Sequence, residues 1–369
     1  MDPTELVREE VKKLVRPVHG GLGWKYEGVE DFSSNLNPYG PPADVAQFVQ
    51  EALGKLVHYP DDRSTEFRQA ICQRYGLVDA HVIAGAGSAE LIRLFPETFL
   101  SPGDKVLMYR PTFSEYGFAC QLQGATINSV PLREDNDLRF DLEEMRENLP
   151  GCKVAYLCNP NNPTGNIVPR KKVLEFARDC ERNGTLLFLD ETLLELVESA
   201  SSISCLKEVE SYDNLFIIRS LTKCFAIPGM RIGYAVGSRD IIKHMESARL
   251  SWNLGQIEQH VGARLLLDRY HHIEKAAKMM AVEKGRMAQE ISRTGLVDAR
   301  LPDSFFFFSR VNGTTGASLQ VDLLKHKLLV RDCASFGAPF HNYARFAVKT
   351  PERNDALINA FRSLAEGRA

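Results

Sequence analysis

The sequence predicts an α/β fold in which helices cover both faces of a mostly parallel sheet, with a smaller α+β unit after it. Between residues 81 and 236, short apolar runs alternate with amphipathic stretches, which is typical of βαβ units. The runs LLFL at 186–189 and LFII at 215–218 are continuously apolar, as expected for strands buried on both faces. After about residue 238 long helical patterns replace this alternation.

The elements follow from these patterns in order. The apolar runs predict strands at His81–Ala84, Lys105–Tyr109, Val154–Cys158, Thr185–Leu189, Asn214–Ile218 and Arg231–Val236, and the stretches between them predict helices at Ser88–Phe99, Phe113–Gln123 and Arg170–Arg182. Later patterns predict helices at 239–250, 256–293, near 317–326 and from 352, with strands at 305–308, 328–331 and 344–348. We therefore expect an N-terminal arm at 1–40 that lies on another surface, a large domain at 41–255 and a small α+β domain at 256–369.

The composition excludes several classes of protein. Charged residues make up 25% of the 369 residues and the formal net charge is -3, so no nucleic-acid partner is expected. No apolar run approaches the roughly 18–20 residues of a membrane helix, and the first residues show no apolar signal core. The eight cysteines are scattered without a C-x-x-C pair, which predicts no metal site, no disulfide framework and a cytoplasmic location.

Chemistry is expected where the strands end, because open parallel sheets bind ligands beyond the carboxyl ends of their strands. The first strand is followed by Gly85–Ser88 and then a helix. Glycines let backbone N–H groups approach an anion, and a helix N-terminus favours its negative charge. The same segment is also compatible with a plain strand–turn–helix corner capped by Ser88, and no Walker lysine follows it.

Two further strand ends carry polar groups. Asn159–Gly165, with the sequence NPNNPTG, is rich in turn formers, and its two Asn-Pro units favour a rigid backbone that presents the amide of Asn162. Asp190 follows the apolar run LLFL directly, and a buried carboxylate needs a partner. It is either a helix cap or surface ion pair, or an anion that holds a cation such as a protonated pyridine nitrogen.

The strand that ends near residue 218 leads into Ser220 and Lys223, and Arg231 opens the next strand. Lysine supplies the amine for a Schiff base, whereas a hydroxyl and an arginine can bind the phosphate of the same cofactor. Together these strand ends provide a lysine, an anion, an amide and a phosphate cradle. Pyridoxal 5'-phosphate (PLP) uses such a set of groups.

Two segments resemble signatures of the fold-type I PLP-dependent enzymes, the class I and II aminotransferase superfamily. SLTKCFAIPGMRIGY at Ser220–Tyr234 is similar to the lysine motif of that superfamily, and NPNNPTG at Asn159–Gly165 is similar to a second signature. The resemblance extends from His19 to the C-terminal helix. It implies the PLP-dependent transferase fold type I and a homodimer.

The resemblance also implies a role for individual residues. Lys223 would carry PLP covalently, Asp190 would pair with the ring nitrogen, Asn162 would bind the ring 3-hydroxyl beside the substrate, and Phe113 would stack on the ring. The alternative interpretation of Phe113 is that it is an aromatic residue of the hydrophobic core at the start of a helix. The cofactor phosphate would be bound by four residues of the same chain: Ser88, Ala89, Ser220 and Arg231.

The remaining roles concern the partner subunit and the substrate. Tyr59 would reach the cofactor phosphate of the neighbouring subunit, or is an ordinary turn residue. Arg345 would bind the substrate carboxylate, and Arg331 and His19 are candidates for a substrate phosphate, although His19 lies in a glycine-flanked arm. Leu193 departs from the aminotransferase pattern, which has a tyrosine at this position.

Within the superfamily the chain resembles two enzyme groups that act on small phosphorylated amino compounds. The histidinol-phosphate aminotransferases are one, and the L-threonine-O-3-phosphate decarboxylases of cobamide synthesis are the other. A PLP-fold protein that has lost catalysis is a third hypothesis, which the complete set of cofactor residues disfavours. Four stretches favour the decarboxylases: HGG at 19–21, DFSSNLNPYGPP at 31–42, AIPG at 226–229 and LVRDC at 329–333.

Overall fold

The computed structural model describes residues 1–367. The strands are β1 (Glu30–Asp31), β2 (Val82–Gly85), β3 (Lys105–Arg110), β4 (Thr126–Pro131), β5 (Cys152–Cys158), β6 (Leu186–Asp190), β7 (Leu215–Ser220), β8 (Gly233–Gly237), β9 (Phe306–Arg310), β10 (Leu328–Leu329), β11 (Arg331–Asp332) and β12 (Tyr343–Ala347). The α-helices are α1 (Glu9–Lys12), α2 (Val45–Ala52), α3 (Thr65–Tyr75), α4 (Gly87–Phe99), α5 (Ser114–Leu122), α6 (Leu142–Glu147), α7 (Arg170–Arg182), α8 (Ala200–Ile203), α9 (Leu221–Cys224), α10 (Arg239–Ala248), α11 (Gln256–Asp268), α12 (Tyr270–Ser292), α13 (Gly316–Lys325) and α14 (Pro351–Glu366).

The large domain is built on a sheet with the strand order β2-β8-β7-β6-β5-β3-β4. Strands β3 to β7 pair in parallel, whereas β8 is antiparallel to both β7 and β2. The mostly parallel sheet predicted from the sequence is therefore confirmed. The edge strand β4 was not predicted, because its sequence TINSVP has no continuous apolar run and its outward residues are partly exposed.

Alternate residues of the central strands point into two separate hydrophobic cores. Leu187 and Leu189 of β6 pack into one core, and Phe188 between them packs into the other. Side chains alternate between the two faces of a strand, so a strand covered by helices on both faces must be apolar at every position. The run LLFL has this pattern for that reason.

The small domain contains an antiparallel sheet, β11-β12-β9. Helix α13 packs on β11 and β12, and Phe361 of α14 contacts Phe346 of β12. The predicted helix at 256–293 is wrong as a single helix, because the chain leaves helical geometry at Arg269 (φ -127°, ψ 14°) and divides it into α11 and α12. Helix α11 packs on α2 and α3 of the large domain. The predicted boundary between the domains at residue 255 stays a prediction.

The arm is anchored to the small domain. Its strand β1 pairs in parallel with β10, in the register Glu30 with Leu328 and Asp31 with Leu329. Residues before β1 form short turns and helices, and their side chains are exposed or half-buried. None of the helices within residues 1–367 combines the length and apolar character needed to cross a membrane.

Candidate active site

The carboxyl ends of β2, β3, β5, β6 and β7 lie at one edge of the large sheet and open into a cavity of about 370 Å³. The small domain and the arm close this cavity from the other side. The side chains that line it come from all three parts of the chain: Val18, His19, Gly20, Gly21, Ser33, Ser34, Asn35, Ser88, Phe113, Ser114, Tyr116, Cys158, Asn162, Asp190, Thr192, Leu193, Lys223, Arg231, Arg331, Ser335, Phe336 and Arg345.

Lys223 stands in the cavity on the short helix α9, directly after β7. The hydroxyl of Ser220 accepts a hydrogen bond from the Thr222 amide and so caps this helix. Removal from water, and then the nearby charges of Arg345 and Arg231, lower the pKa of Lys223 to about 8. A substantial share of this amine is therefore neutral near pH 8, as a nucleophile requires.

Asp190 is the last residue of β6 and is 3% exposed. The phenol of Tyr116 donates a 2.5 Å hydrogen bond to its Oδ2, and the Thr192 amide donates a 2.8 Å bond to its Oδ1. Burial raises the pKa of Asp190, although both hydrogen bonds act in the opposite direction. Within residues 1–367 this carboxylate has no ion-pair partner.

The predicted phosphate cradle lies between β2 and α4. Gly87 has a φ of +74°, and a Cβ added there would lie 2.7 Å from Nη2 of Arg231, so only glycine allows the arginine to approach this closely. The cradle is stabilised by Glu90, whose carboxylate accepts bonds from the Ala86 amide (2.5 Å) and from Asn253 (2.9 Å). Backbone amides, a helix N-terminus and an arginine therefore converge.

The segment Asn159–Gly165 is held in place by two of its own amides. Asn159 binds both backbone groups of Val168 at 2.9 Å. Asn161 donates to Pro111 (3.1 Å) and to Thr164 (3.0 Å). The third amide, Asn162, lines the cavity.

Two arginines of the small domain face each other across neighbouring strands. Arg331 of β11 pairs in register with Arg345 of β12, and directly opposite residues lie on the same face with Cβ atoms roughly 4.5–5.5 Å apart. Arg345 also donates to Oδ1 of Asn162 and, at 2.8 Å, to the Ser33 carbonyl. Burial, and then the charge of Arg331, lower the pKa of Arg345 to about 10. Such a pair favours a bound anion.

The arm crosses the mouth of the cavity at Val18–Gly21. Arg331 donates to the carbonyls of His19 (3.1 Å) and Val18 (3.0 Å). The His19 ring lies 2.6 Å from the Glu115 carboxylate, measured from Nε2 to Oε1. The two candidate ligands for a substrate phosphate, which are 312 residues apart in the chain, are thus in contact.

The sequence profile described as aminotransferase class I and II matches residues 27–361. This chain is a member of that family. It is 31% identical over 359 residues, 97% of this chain and 96% of the relative, to a provisionally assigned threonine-phosphate decarboxylase of Caldanaerobacter subterraneus. It is 29% identical over 354 residues, 95% of this chain and 89% of the relative, to the histidinol-phosphate aminotransferase of Moorella thermoacetica.

A solved structure has the same fold. It is the histidinol-phosphate aminotransferase of Sinorhizobium meliloti in complex with pyridoxal 5'-phosphate, which superposes with a TM-score of 0.85 at 20% identity. The match covers 98% of this chain and 98% of that one. The predictions of fold type I and of PLP as the cofactor are confirmed for this aminotransferase-family chain.

The cavity of this aminotransferase-family chain fits PLP on its own chemistry. Asp190 is a buried anion without a cation, and Lys223 is an enclosed amine without a hydrogen bond among the described residues. Two lining residues, Asn35 and Arg345, also have a buried polar side-chain atom without a partner within residues 1–367. Buried polar groups are normally bonded, so these groups in the cavity wall fit a polar ligand.

Three of the predicted cofactor residues do not line the cavity. Ala89 is exposed in the first turn of α4, and only its backbone amide lies near the cradle. The hydroxyl of Ser220 is engaged as a cap and approaches the Ile232 carbonyl at 3.3 Å. Tyr59 is 79% exposed and stacks on Trp252 with ring centroids 4.6 Å apart. Its predicted role toward a neighbouring subunit stays a prediction.

Sequence reasoning missed Tyr116, the donor to Asp190. Tyr116 comes three residues after Phe113, and residues at this spacing in a first helical turn lie on one face. The spacing in PTFSEY was therefore a usable signal. No local pattern indicated Ser33 or Glu115, because Ser33 meets Arg345 and Glu115 meets His19 only through the tertiary fold.

Proposed function

We propose that this enzyme decarboxylates L-threonine O-3-phosphate to 1-amino-2-propanol O-phosphate, a reaction of cobamide synthesis. The observation that carries the proposal is the pairing of Arg331 with Arg345 across β11 and β12. Two adjacent arginines in the wall of one cavity suit a substrate with two anionic groups. Phosphothreonine carries a carboxylate and a phosphate on neighbouring carbons. The likeness to a provisionally assigned decarboxylase supports the same choice.

The cofactor would be held by residues from several strand ends. Lys223 would bind its aldehyde carbon, Asp190 its ring nitrogen and Asn162 its 3-hydroxyl, while Phe113 covers the ring. Ser88, the amide of Ala89 and Arg231 would bind its phosphate, with Ser220 supporting the lysine turn. Bound PLP supplies an electron sink for the electron pair left on Cα when a bond there breaks.

The protein would select the bond to be broken by fixing both ends of the substrate. Arg345 would bind the carboxylate, and Arg331 with His19 would bind the phosphate. With the amino group also fixed, rotation about the Cα–N bond is restricted, so the Cα–carboxylate bond can be held perpendicular to the ring. Breaking that bond releases carbon dioxide.

Lys223 would then complete the reaction by delivering a proton to Cα. Its pKa of about 8 lets the amine hold a proton at neutral pH and release it to a carbanion-like centre. The proton replaces the lost carboxylate, so the product keeps its amino group. No 2-oxo acid is consumed in this reaction.

The alternative function is a histidinol-phosphate-type aminotransferase, which the likeness to that group supports. There the arginine pair would bind the two carboxylates of glutamate or 2-oxoglutarate in one half-reaction. Leu193 weighs against this alternative, because it is buried at the cavity wall where the family places a phenol. An apolar group there removes a hydrogen bond to the cofactor.

We further propose that the enzyme acts as a homodimer. The stacked pair Tyr59–Trp252 lies in a surface patch with Leu56, Val57 and Leu250, all of which are at least 49% exposed. Exposed apolar patches commonly mark protein interfaces. Sedimentation or light scattering of the purified protein should give twice the chain mass of 41.4 kDa.

Product analysis distinguishes the two activities. Purified enzyme with PLP is incubated with L-threonine O-3-phosphate, or with histidinol phosphate, each with and without 2-oxoglutarate. Decarboxylation predicts carbon dioxide and 1-amino-2-propanol O-phosphate without any 2-oxo acid. Accumulation of pyridoxamine phosphate from histidinol phosphate, together with no carbon dioxide from phosphothreonine, would contradict the proposal.

A further inference from the structure

The arm segment Val18–Gly21 is bound to both domains at once. On the large domain, the His19 ring contacts Glu115 in the first turn of α5 at 2.6 Å. On the small domain, Arg331 donates to the carbonyls of Val18 and His19. Both attachments flank the cavity. This segment therefore closes the cavity only when both contacts are made.

The segment Val18–Gly21 packs closely against the side chain of Arg331. A Cβ added to Gly20 would lie 3.4 Å from Cδ of Arg331, and Gly21 has a φ of +76°. The arginine also donates to the hydroxyl of Ser335 at 2.8 Å. These bonds use three of its five N–H groups, so donors remain for a ligand.

The contact with Glu115 determines where the His19 imidazole lies. Among the described residues the ring makes one hydrogen bond, through Nε2 to Glu115. The other ring nitrogen, Nδ1, therefore remains available to bind a ligand. The ring also lies 6.0 Å from that of Phe113, measured between centroids. A histidine ring on a flexible arm has little preferred orientation without such a partner.

We propose that Glu115 is a positioning residue for a subsite that binds the phosphoryl group of the substrate. It orients His19 beside Arg331 and thereby closes the arm over this group, which makes the enzyme selective for phosphorylated substrates. The inference rests on the proposed function for the identity of the substrate. Glu115 acts through His19 and does not itself contact the ligand. Its carboxylate is negatively charged and would repel a phosphate if the His19 ring did not lie between them.

This arrangement predicts that one substitution has opposite effects in two backgrounds. In the otherwise native enzyme, Glu115→Gln releases His19 and should weaken the binding of O-phospho-L-threonine roughly tenfold. In a His19→Ala background there is no ring to orient. There Glu115→Gln only removes an unscreened negative charge and should strengthen phosphothreonine binding. The affinity for unphosphorylated L-threonine should change less than twofold throughout.

Binding is measured with the PLP-loaded enzyme from the change in cofactor absorbance during titration. Glu9→Gln is the control, because it removes the same charge from a glutamate of the arm whose one ion pair among the described residues is with the exposed Lys12. A loss in both backgrounds, or an equal loss for threonine, would overturn the role of Glu115. If phosphothreonine binds with this pattern but is not decarboxylated, the proposed function fails and this inference stands.

A second measurement does not depend on substrate or cofactor. Trypsin can cleave after Lys13 and Lys25, which are exposed and flank the closing segment. Glu115→Gln should accelerate cleavage of the cofactor-free protein at these positions severalfold, whereas Glu9→Gln should not. Equal cleavage rates in native protein and Glu115→Gln would mean that Glu115 does not hold the arm.

Discussion

The phenol of Tyr116 donates a 2.5 Å hydrogen bond to Oδ2 of Asp190 in the buried floor of the cavity. The tyrosine is fully buried and stacks on Tyr156 at 5.6 Å between ring centroids. Because helix α5 holds Tyr116 and strand β6 holds Asp190, this bond links two elements that line the cavity. The orientation of the carboxylate therefore depends on a residue outside its own strand.

Tyr116→Phe should weaken the binding of PLP roughly tenfold, because one hydrogen bond that orients and stabilises the Asp190 carboxylate is lost. Equilibrium dialysis of the cofactor checks this. Tyr156→Phe is the control, since its hydroxyl bonds Cys120 and not Asp190. Equal cofactor affinities in the two variants would contradict the role given to Tyr116.

Asp190→Asn should have opposite effects on the cofactor-free and cofactor-bound protein. Burial raises the pKa of Asp190, so at neutral pH the ionised carboxyl costs folding stability, and this cost disappears as the pH falls through the raised pKa. The variant should therefore raise the thermal midpoint of the cofactor-free protein at pH 7 but lose roughly 100-fold in PLP affinity. A lower midpoint at pH 7 would contradict the electrostatic argument.

The rate at which PLP attaches to the cofactor-free protein should depend on the ionisation of Lys223. Only the neutral amine is nucleophilic, and its pKa is lowered to about 8. The rate should rise about tenfold per pH unit below 8 and level off above it, as followed by visible absorbance. Borohydride reduction should then fix PLP on the peptide that contains Lys223. Label on another lysine would overturn the site assignment.

Arg345→Lys should lower the affinity for phosphothreonine roughly tenfold or more while leaving the visible absorbance of bound PLP unchanged. Lysine keeps the charge but cannot reproduce the planar, bidentate geometry of the guanidinium group. Titration with the substrate measures the loss. If affinity were unchanged, the carboxylate would bind elsewhere, with Arg331 as the next candidate.

Arg219→Met should destabilise the protein by about 3–5 kcal/mol, because it leaves two buried carboxylates without their cation. Arg219 is 3% exposed and lies 2.6 Å from Glu191 and 3.3 Å from Glu195. The matched control is Arg93→Met, which removes an exposed pair with Glu97 on α4 and should cost less than about 0.5 kcal/mol. Urea unfolding compares the two, and similar losses would contradict the prediction.

Much of the site was predictable because its groups stand at strand ends. Lys223, Asp190 and Asn162 each follow a continuously apolar run, and parallel strands place their carboxyl ends at one edge of a sheet. The motif SLTKCFAIPGMRIGY contains Arg231, and the resemblance to the family that this motif indicates also predicted a role for Arg345. Strand β4 and the break at Arg269 were not predictable, because both depend on neighbouring elements and not on a local pattern.

By itself the sequence determined the α/β class, the cofactor and the residues that directly follow the strands at the edge of the sheet. These could be predicted because hydrophobic periodicity and motif spacing are properties of short segments. The tertiary structure alone decided which distant residues meet. Arg331 faces Arg345 because of the register of β11 with β12, and His19 reaches Glu115 because the arm crosses between two domains. His19 and Glu115 are 96 residues apart in the chain, and no periodic pattern extends over such a distance. The register of two short strands joined by a loop is likewise not given by the periodicity of either strand.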